Sequence, residues 1–191
     1  MKEIALHIMD IAENGISAGA SLIRILVNED RQNNLLTVEI EDNGRGMSAE
    51  MLAQVTDPFI TSRTTRRVGL GLSLLQAAAH RCEGEFKLES EIGKGTLTSA
   101  SFQYDHIDRA PVGDMAGTLT VLMMGNPNID FNYTHQVDKK DFTLDTAELR
   151  KDMEGFSLTD PTVMVHLTRT IRNAVSELRI NTNKGDTDDK S

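Results

Sequence analysis

Hydrophobic and polar positions along the first hundred residues follow two spacings, one helical and one extended. Ile4, Ile8 and Ile11 recur at the spacing of a helix that buries one face. Later segments alternate apolar and polar residues, as strands of a half-buried sheet do. The pattern predicts helices over 3–15, 49–55 and 69–81, and strands over 22–28, 35–41, 85–90 and 97–103. This order is typical of an α+β fold in which helices cover one face of an antiparallel or mixed sheet.

The second half of the chain has a pattern of its own. Residues 104–117 contain a proline and two glycines and are typical of a connector. Strands are predicted over 118–124, 129–136 and 141–145, and helices after Asp145 and Asp160. We therefore predict a first domain over 1–105, a linker over 106–117, a small α+β extension over 118–180 and a disordered tail over 181–191. The extension has no cluster of reactive residues, so we expect it to dock a partner protein or a second copy of the chain.

The composition argues against several kinds of protein. The net charge of −9 argues against nucleic-acid binding by overall electrostatics, because phosphate backbones need a basic surface. No apolar run reaches the roughly 20 residues that span a bilayer, and the N-terminus lacks the pattern of a signal peptide. Cys82 is the single cysteine, which excludes an internal disulfide and a multi-cysteine metal site. We expect a cytoplasmic protein without membrane or nucleic-acid partners.

A glycine-containing loop follows the second predicted strand. Asp42 would end that strand, where its carboxylate could accept a hydrogen bond from an exocyclic amine such as N6 of adenine. Gly44 and Gly46 would let a planar ring approach the backbone, because neither carries a Cβ, and Met47 ends the loop. The same Asp-x-Gly-x-Gly pattern also describes an ordinary hairpin turn, so by itself it leaves both interpretations open.

A second glycine-containing segment opens the helix predicted over 69–81. Its first residues are Gly69, Leu70, Gly71 and Leu72. Free backbone amides and the helix dipole favour phosphate at such a position. The loop before it is the most basic stretch of an acidic chain, and hydroxyls and arginines there could engage a triphosphate. That loop begins with Thr61, Ser62 and Arg63. Glycines that merely allow close helix packing, and a solvated surface loop, are the alternatives.

The first predicted helix has a polar stripe beside its apolar one. His7, Asp10 and Asn14 are spaced at i, i+3 and i+7, so they share one face. An Asn oxygen suits Mg²⁺, which keeps several waters and uses few protein ligands. A nearby carboxylate could orient or deprotonate a water or a hydroxyl. A stripe that only faces solvent would have the same spacing.

Four motifs in this order resemble the GHKL superfamily of DNA gyrase, the large heat-shock chaperone, histidine kinases and MutL. The matching segments are 10–20, 42–47, 58–63 with 69–72, and 93–96. The resemblance covers about residues 3–103 and implies a Bergerat-type α/β sandwich that binds ATP with Mg²⁺. The implied roles are Mg²⁺ coordination for Asn14, adenine N6 binding for Asp42, positions near the base for Gly46 and Thr96, and wrapping of the phosphates at Gly69 and Gly71.

Two positions depart from the pattern of the superfamily. Its hydrolytic members usually carry Glu four residues before the Asn, where this chain has the shorter Asp10. Ser17 stands where an Asp is often found, three residues after the Asn. Asp10 is the candidate catalytic residue, and its shorter side chain implies slow hydrolysis.

The resemblance leaves more than one reaction open. Residues 166–170 are faintly similar to the acceptor box of histidine kinases, but they follow the ATPase segment and lack the acid after the histidine. The whole chain is also similar to small ATP-binding proteins encoded beside hydrogenase genes in anaerobic bacteria, which implies no particular reaction. We predict a regulatory ATP-binding protein with histidine-kinase-like or anti-sigma-kinase-like activity toward a partner protein. The alternatives are a non-catalytic nucleotide sensor or docking module, and a slow ATPase.

Overall fold

The computed structural model describes residues 3–56, 71–152 and 157–183. In chain order the elements are α1 (Ile4–Ser17), β1 (Leu22–Asp30), β2 (Leu35–Asp42), α2 (Ala49–Thr56), α3 (Gly71–Arg81), β3 (Phe86–Glu91), β4 (Gly95–Gln103), α4 (Met115–Gly125), β5 (Asp130–Val137), β6 (Lys140–Asp145), α5 (Thr146–Asp152) and α6 (Pro161–Asn183). The strands form one sheet in the order β3-β4-β2-β1-β5-β6. β1 and β5 run parallel, and all other neighbours are antiparallel.

Helices cover one face of this sheet. The buried positions of β1 include Ile23, Ile25 and Val27. In β2, buried Val38 and Ile40 lie directly beside them, and α1 packs on both strands. The opposite face carries polar side chains, among them Arg24 and Glu41, which form an exposed ion pair at 3.1 Å. The alternation in the sequence therefore predicted the burial of these strands correctly, and the α+β sandwich is confirmed.

Several predicted elements of the second half are also confirmed. The strands predicted over 129–136 and 141–145 are β5 and β6. Asp145 caps α5, because its Oδ1 accepts hydrogen bonds from two backbone amides of that helix at 2.9 and 3.2 Å. Asp160 does the same for α6 at 2.8 Å, and Pro161 is the first helical residue, where its missing N–H costs nothing.

The strand predicted over 118–124 is wrong, because this segment belongs to the helix α4. Asp114 caps α4 by accepting a hydrogen bond from the backbone amide of Gly117 at 3.1 Å. α4 packs against both α1 and α6, so most of its residues are buried. A helix that is apolar on most sides lacks the spacing of an amphipathic helix, and its Thr and Val residues are typical of strands.

The connector and the predicted extension share the sheet and core of the first hundred residues. The backbone amide of Ile4 donates to the carbonyl of Pro111 at 3.0 Å, which ties the connector to α1. β5 pairs with β1, and its Phe131 and Tyr133 are fully buried beneath the helices. The tail predicted from 181 onward begins inside α6, which the structure describes to Asn183. None of the helices in the described ranges is long and apolar enough to cross a membrane.

Candidate functional site

α1 carries two of the predicted site residues, Asp10 and Asn14. They lie one helical turn apart, and both are half-buried. The Nδ2 atom of Asn14 is buried and has no hydrogen-bond partner among the described residues. A buried polar atom without a partner costs roughly 1–3 kcal/mol, so this amide is available to a bound ligand. Half a turn about its last bond would present the amide oxygen at the same place.

Asp42 lies at the end of β2 and faces α1. A Cβ on Gly15 would stand 2.7 Å from the Cβ of Asp42, so only glycine lets α1 approach this strand so closely. Burial raises the pKa of the Asp42 carboxyl, although the backbone amide of Gly44 donates to its Oδ1 at 2.8 Å. The carboxyl is thus held at the junction of α1 and β2, beside the residue that follows Asn14.

Two sets of hydrogen bonds hold the loop that follows β2. Oδ1 of Asn43 accepts from the backbone amides of Ser21 and Leu22 at 2.8 and 2.9 Å. The amide of Arg45 donates to the carbonyl of Ala18 at 3.0 Å, which ties the loop to the end of α1. Sequence analysis missed Asn43; its signal was an Asn directly after a strand, a residue type whose side chain bonds nearby backbone in turns.

Glycines in this region allow backbone segments to touch each other. Gly46 and Gly95 both have positive φ, +65° and +105°. A Cβ on Gly46 would collide with the carbonyl of Glu91, and one on Gly95 would collide with the carbonyl of Asp42. Gly46 was predicted to admit a planar ring. In the structure, loop packing against the β3–β4 turn requires glycine there whether or not a ring binds.

Ser90, which sequence analysis also missed, joins three parts of the site. Its Oγ accepts a hydrogen bond from the backbone amide of Met47 at 2.9 Å and donates to the carbonyl of Gly95 at 2.9 Å. It also lies 2.9 Å from Oγ1 of Thr96. A hydroxyl has one proton, so Thr96 is the donor in the last contact. Ser90 thereby fixes both Met47 and Thr96, and its sequence signal was only a serine inside a strand.

The start of α3 packs against α1 at Asp10. A Cβ on Gly71 would stand 2.8 Å from the Cβ of Asp10, so glycine is needed for this approach too. Leu72 is buried behind it. The structure therefore brings together Asp10, Asn14 and Gly71 on one side and Asp42, Gly44, Gly46, Met47 and Thr96 on the other. The remaining predicted residues, Thr61, Ser62, Arg63, Gly69 and Leu70, lie outside the described residues.

The donor groups at this junction suit Mg²⁺. Asp10 and Asn14 offer carboxylate and amide oxygens, the hard ligands that Mg²⁺ prefers. In the described ranges, no three His, Cys, Asp or Glu side chains lie close enough to hold a metal ion among themselves. An ion here would therefore complete its coordination with ligand oxygens and water, as Mg²⁺ does beside a phosphorylated ligand.

The chain belongs to the histidine kinase-, DNA gyrase B- and HSP90-like ATPase family, whose model matches residues 2–106. This family assignment confirms the resemblance predicted from the four motifs. The match ends near the boundary predicted at 105, whereas the sheet continues through β5 and β6.

Individual relatives are similar over the same part of the chain. The chain is 31% identical over 101 residues to sensor kinase CckA of Brucella abortus and 30% identical over 89 residues to sporulation kinase C of Bacillus subtilis. These matches cover 45% and 47% of this chain, but only 11% and 21% of the relatives. The structure is similar to that of the N-terminal domain of a DNA repair protein, with a TM-score of 0.50 and 19% identity, over 76% of this chain and 53% of that one. At this identity the likeness concerns the fold alone.

Proposed function

We propose that this chain binds ATP with Mg²⁺ at the junction of α1, α3 and the sheet, and that it regulates a partner protein. One observation carries the proposal. Asp42 is a half-buried carboxyl packed against Gly15. The preceding residue, Asn14, has a buried amide nitrogen that no described residue bonds. A hydrogen-bond acceptor for a base and an oxygen donor for a phosphate-bound ion thus lie at adjacent positions.

Asp42 and Thr96 would hold the base. Asp42 and Thr96 are directly paired across β2 and β4, so their side chains lie on the same face. The carboxylate would accept a hydrogen bond from the 6-amino group of adenine. The Thr96 hydroxyl donates to Ser90, and its lone pairs remain available to accept from the base or from a water beside it.

Asn14, Asp10 and the start of α3 would receive the phosphates. Mg²⁺, when bound, would neutralise phosphate charge and act as a Lewis acid. Asn14 would hold the ion through its amide oxygen, and the first amides of α3 would face the phosphates, as free helix N-termini favour anions. Asp10 would orient the attacking hydroxyl or water and accept its proton.

Phosphotransfer to a partner is favoured by the relatives, two of which are named kinases. We propose histidine-kinase-like or anti-sigma-kinase-like activity on that ground. A non-catalytic sensor is the second candidate, and the packing of Asp10 favours it. Gly71 approaches within van der Waals reach of the Asp10 side chain, which is one methylene shorter than Glu. The Asp10 carboxylate would therefore extend less far toward a γ-phosphate than a Glu carboxylate at this position.

Incubation of the chain with γ-labelled ATP and Mg²⁺, alone and with a cell extract, tests the activity. Label on another protein supports a partner kinase. Label on this chain supports a histidine kinase, for which His166, exposed on α6, is the residue to replace first. Free phosphate alone supports an ATPase, and bound but unreacted ATP supports the sensor.

Replacing Asp42 by Asn is expected to weaken ATP binding at least about tenfold, roughly 1.4 kcal/mol, because a charged acceptor becomes a neutral amide. Titration of a fluorescent ATP analogue measures the change. Glu41→Gln is the matched control, since Glu41 is the adjacent acid on the exposed face of the sheet. Equal affinities of the Asp42→Asn variant and the wild type would place the base elsewhere.

Replacing Asn14 by Ala is expected to make nucleotide binding independent of Mg²⁺ while the fold stays intact. Ligand binding raises the melting temperature in proportion to the logarithm of ligand concentration over Kd. Melting curves with ATP, with and without Mg²⁺, therefore report the effect. Glu13→Ala, the exposed neighbour on α1, is the control. Added stability from Mg²⁺ in the Asn14→Ala variant would contradict the assignment.

A further inference from the structure

Among the described residues, three of the buried polar atoms without partners lie on the helix-covered side of the sheet, where the proposed ATP site is. In the described ranges, the atoms of this kind are Nδ1 of His7, Nδ2 of Asn14, Oγ1 of Thr98 and Oδ1 of Asn28. His7 and Asn14 lie on α1 and Thr98 lies on the helix-covered face of β4, whereas Asn28 alternates onto the opposite face of β1. Each buried polar atom without a hydrogen bond destabilises the fold by roughly 1–3 kcal/mol. Several such atoms in one region therefore indicate that a ligand or a water supplies the missing hydrogen bonds.

Thr98 lies on the floor of this site. Thr96 pairs with Asp42 across β2 and β4, and Thr98 follows two positions along β4, opposite Ile40. Side chains two apart on a strand share a face, so the Thr98 hydroxyl lies one step deeper than Asp42 and Thr96. α1 and α3 both contact β4 on this face, and Thr98 is 1% exposed.

The Thr98 hydroxyl differs from the other two hydroxyls of this face. Ser90 and Thr96 bond to each other, and Ser90 also bonds to the backbone. Thr98 instead lies between Leu88 of β3 and Ile40 of β2. Valine has the same shape and would fill this apolar position without leaving a buried donor and acceptor unpaired. Packing therefore gives no reason for a hydroxyl at position 98.

We propose that Thr98 is a further base-binding residue of the site, beyond Asp42 and Thr96, with its hydroxyl hydrogen-bonded to the six-membered edge of adenine or to a water held against it. This inference rests on the proposed binding of ATP. Adenine presents a donor at C6 and an acceptor at N1, whereas a 6-oxo purine reverses both. A hydroxyl can donate to N1 of adenine or accept from N1–H of a 6-oxo purine. Thr98 therefore adds affinity for either base, whereas the ionised Asp42 carboxylate, which only accepts, favours the 6-amino group.

Replacing Thr98 by Val gives two effects of opposite sign. The urea midpoint of the free protein rises, because an unpaired buried hydroxyl is removed at constant volume. The affinity for ATP falls roughly fivefold, because the bound base or its water loses a partner. A hydroxyl bonded within the chain would instead make the Val variant less stable.

Calorimetric titration of the full chain with ATP and with inosine triphosphate, each with Mg²⁺, tests the proposal. Both affinities should fall about fivefold in Thr98→Val, so that their ratio stays constant, and both should recover in Thr98→Ser. Ser99→Ala on the opposite face should leave them unchanged. An unchanged affinity for ATP in Thr98→Val, or a lower urea midpoint for that variant, overturns the role of Thr98. Failure of the wild type to bind ATP would instead refute the proposed function.

Discussion

A chain ending at residue 103 is expected to yield no soluble, cooperatively folded protein, and hence no ATP binding. The sequence predicted the opposite, an independent first domain with an appended extension. In the structure, β5 and β6 belong to the same sheet as β1 to β4, and α4 packs on α1. The first hundred residues therefore depend on the rest of the chain for their fold. Removal of residues 104–191 would take away one flank of the central strand and part of the helical layer together.

The flank that would be exposed is apolar and long. β1 pairs with β5 from Leu22 to Glu29, and the buried face there includes Ile23, Ile25 and Val27. A long unpaired edge with apolar side chains is a template for aggregation. α1 would also lose Leu119 and Met115 of α4, both buried in the shared core. Large buried side chains contribute about 2–5 kcal/mol each, and several losses of that size exceed the stability of most domains.

Size-exclusion chromatography and urea unfolding of chains 1–103, 1–183 and 1–191 measure this effect. The 1–183 chain is the matched control, since it keeps every described element. A soluble 1–103 chain with a single cooperative transition, and with ATP affinity within about threefold or roughly 0.7 kcal/mol of the full chain, would restore the boundary predicted at 105.

Periodicity predicted the elements whose apolar residues lie on one face, and it failed for a helix that is apolar on its exposed side as well. α1 has a buried stripe and a polar stripe, so the spacing in the sequence is enough to assign Asp10 and Asn14 to one face. α4 has no such contrast, because apolar residues such as Val121 and Met124 also occupy its exposed positions, and it was predicted as a strand. Parallel pairing of β5 with β1 is a contact between distant segments, which local patterns do not encode.

The candidate site could be predicted where residue type and chain position together imply chemistry. An acid before two glycines and an Asn on a helix are such cases, and Asp42 and Asn14 do lie at one junction. Ser90 and Thr98 are ordinary strand residues in the sequence. Their importance depends on which neighbours the sheet register supplies. Ser90 has three hydrogen-bond partners, and the Thr98 hydroxyl has none in the part of the chain that the structure describes.

Replacing Glu29 by Ala is expected to lower the free energy of unfolding by roughly 3–5 kcal/mol, because its buried carboxylate is lost and the groups that donate to it, among them buried His135, are left unpaired. Oε1 of Glu29 accepts from Nε2 of His135 at 2.7 Å and from Nη2 of Arg179 at 2.6 Å. Oε2 accepts from the hydroxyl of Tyr104 at 3.0 Å. These contacts join β1 to β5, to α6 and to the segment after β4. Their loss would therefore weaken the packing between the predicted first domain and its predicted extension.

The Glu29 network also predicts a dependence of stability on pH. Burial by itself would raise the pKa of the Glu29 carboxyl, but the hydrogen bond from His135 and the charge of Arg179 outweigh burial and lower it from 4.5 to about 2. An acid with a lowered pKa stabilises the folded state fully above its unfolded value. That contribution is lost as the pH falls from about 4.5 toward 2, so part of it has already disappeared at pH 3.5.

Urea unfolding of the wild type and of the Glu29→Ala and Glu29→Gln variants, near pH 7 and near pH 3.5, measures both effects. Glu41→Ala is the matched control, because its pair with Arg24 is also Glu–Arg but is half exposed, and such pairs contribute roughly 0–1 kcal/mol. The Gln variant keeps the size and the acceptor oxygen of Glu29 but has no charge to titrate. Its difference from the wild type should therefore shrink at the lower pH. A loss in Glu29→Ala as small as that in Glu41→Ala, or a wild-type-to-Gln difference that stays constant with pH, would mean that this network does not hold the sheet and α6 together.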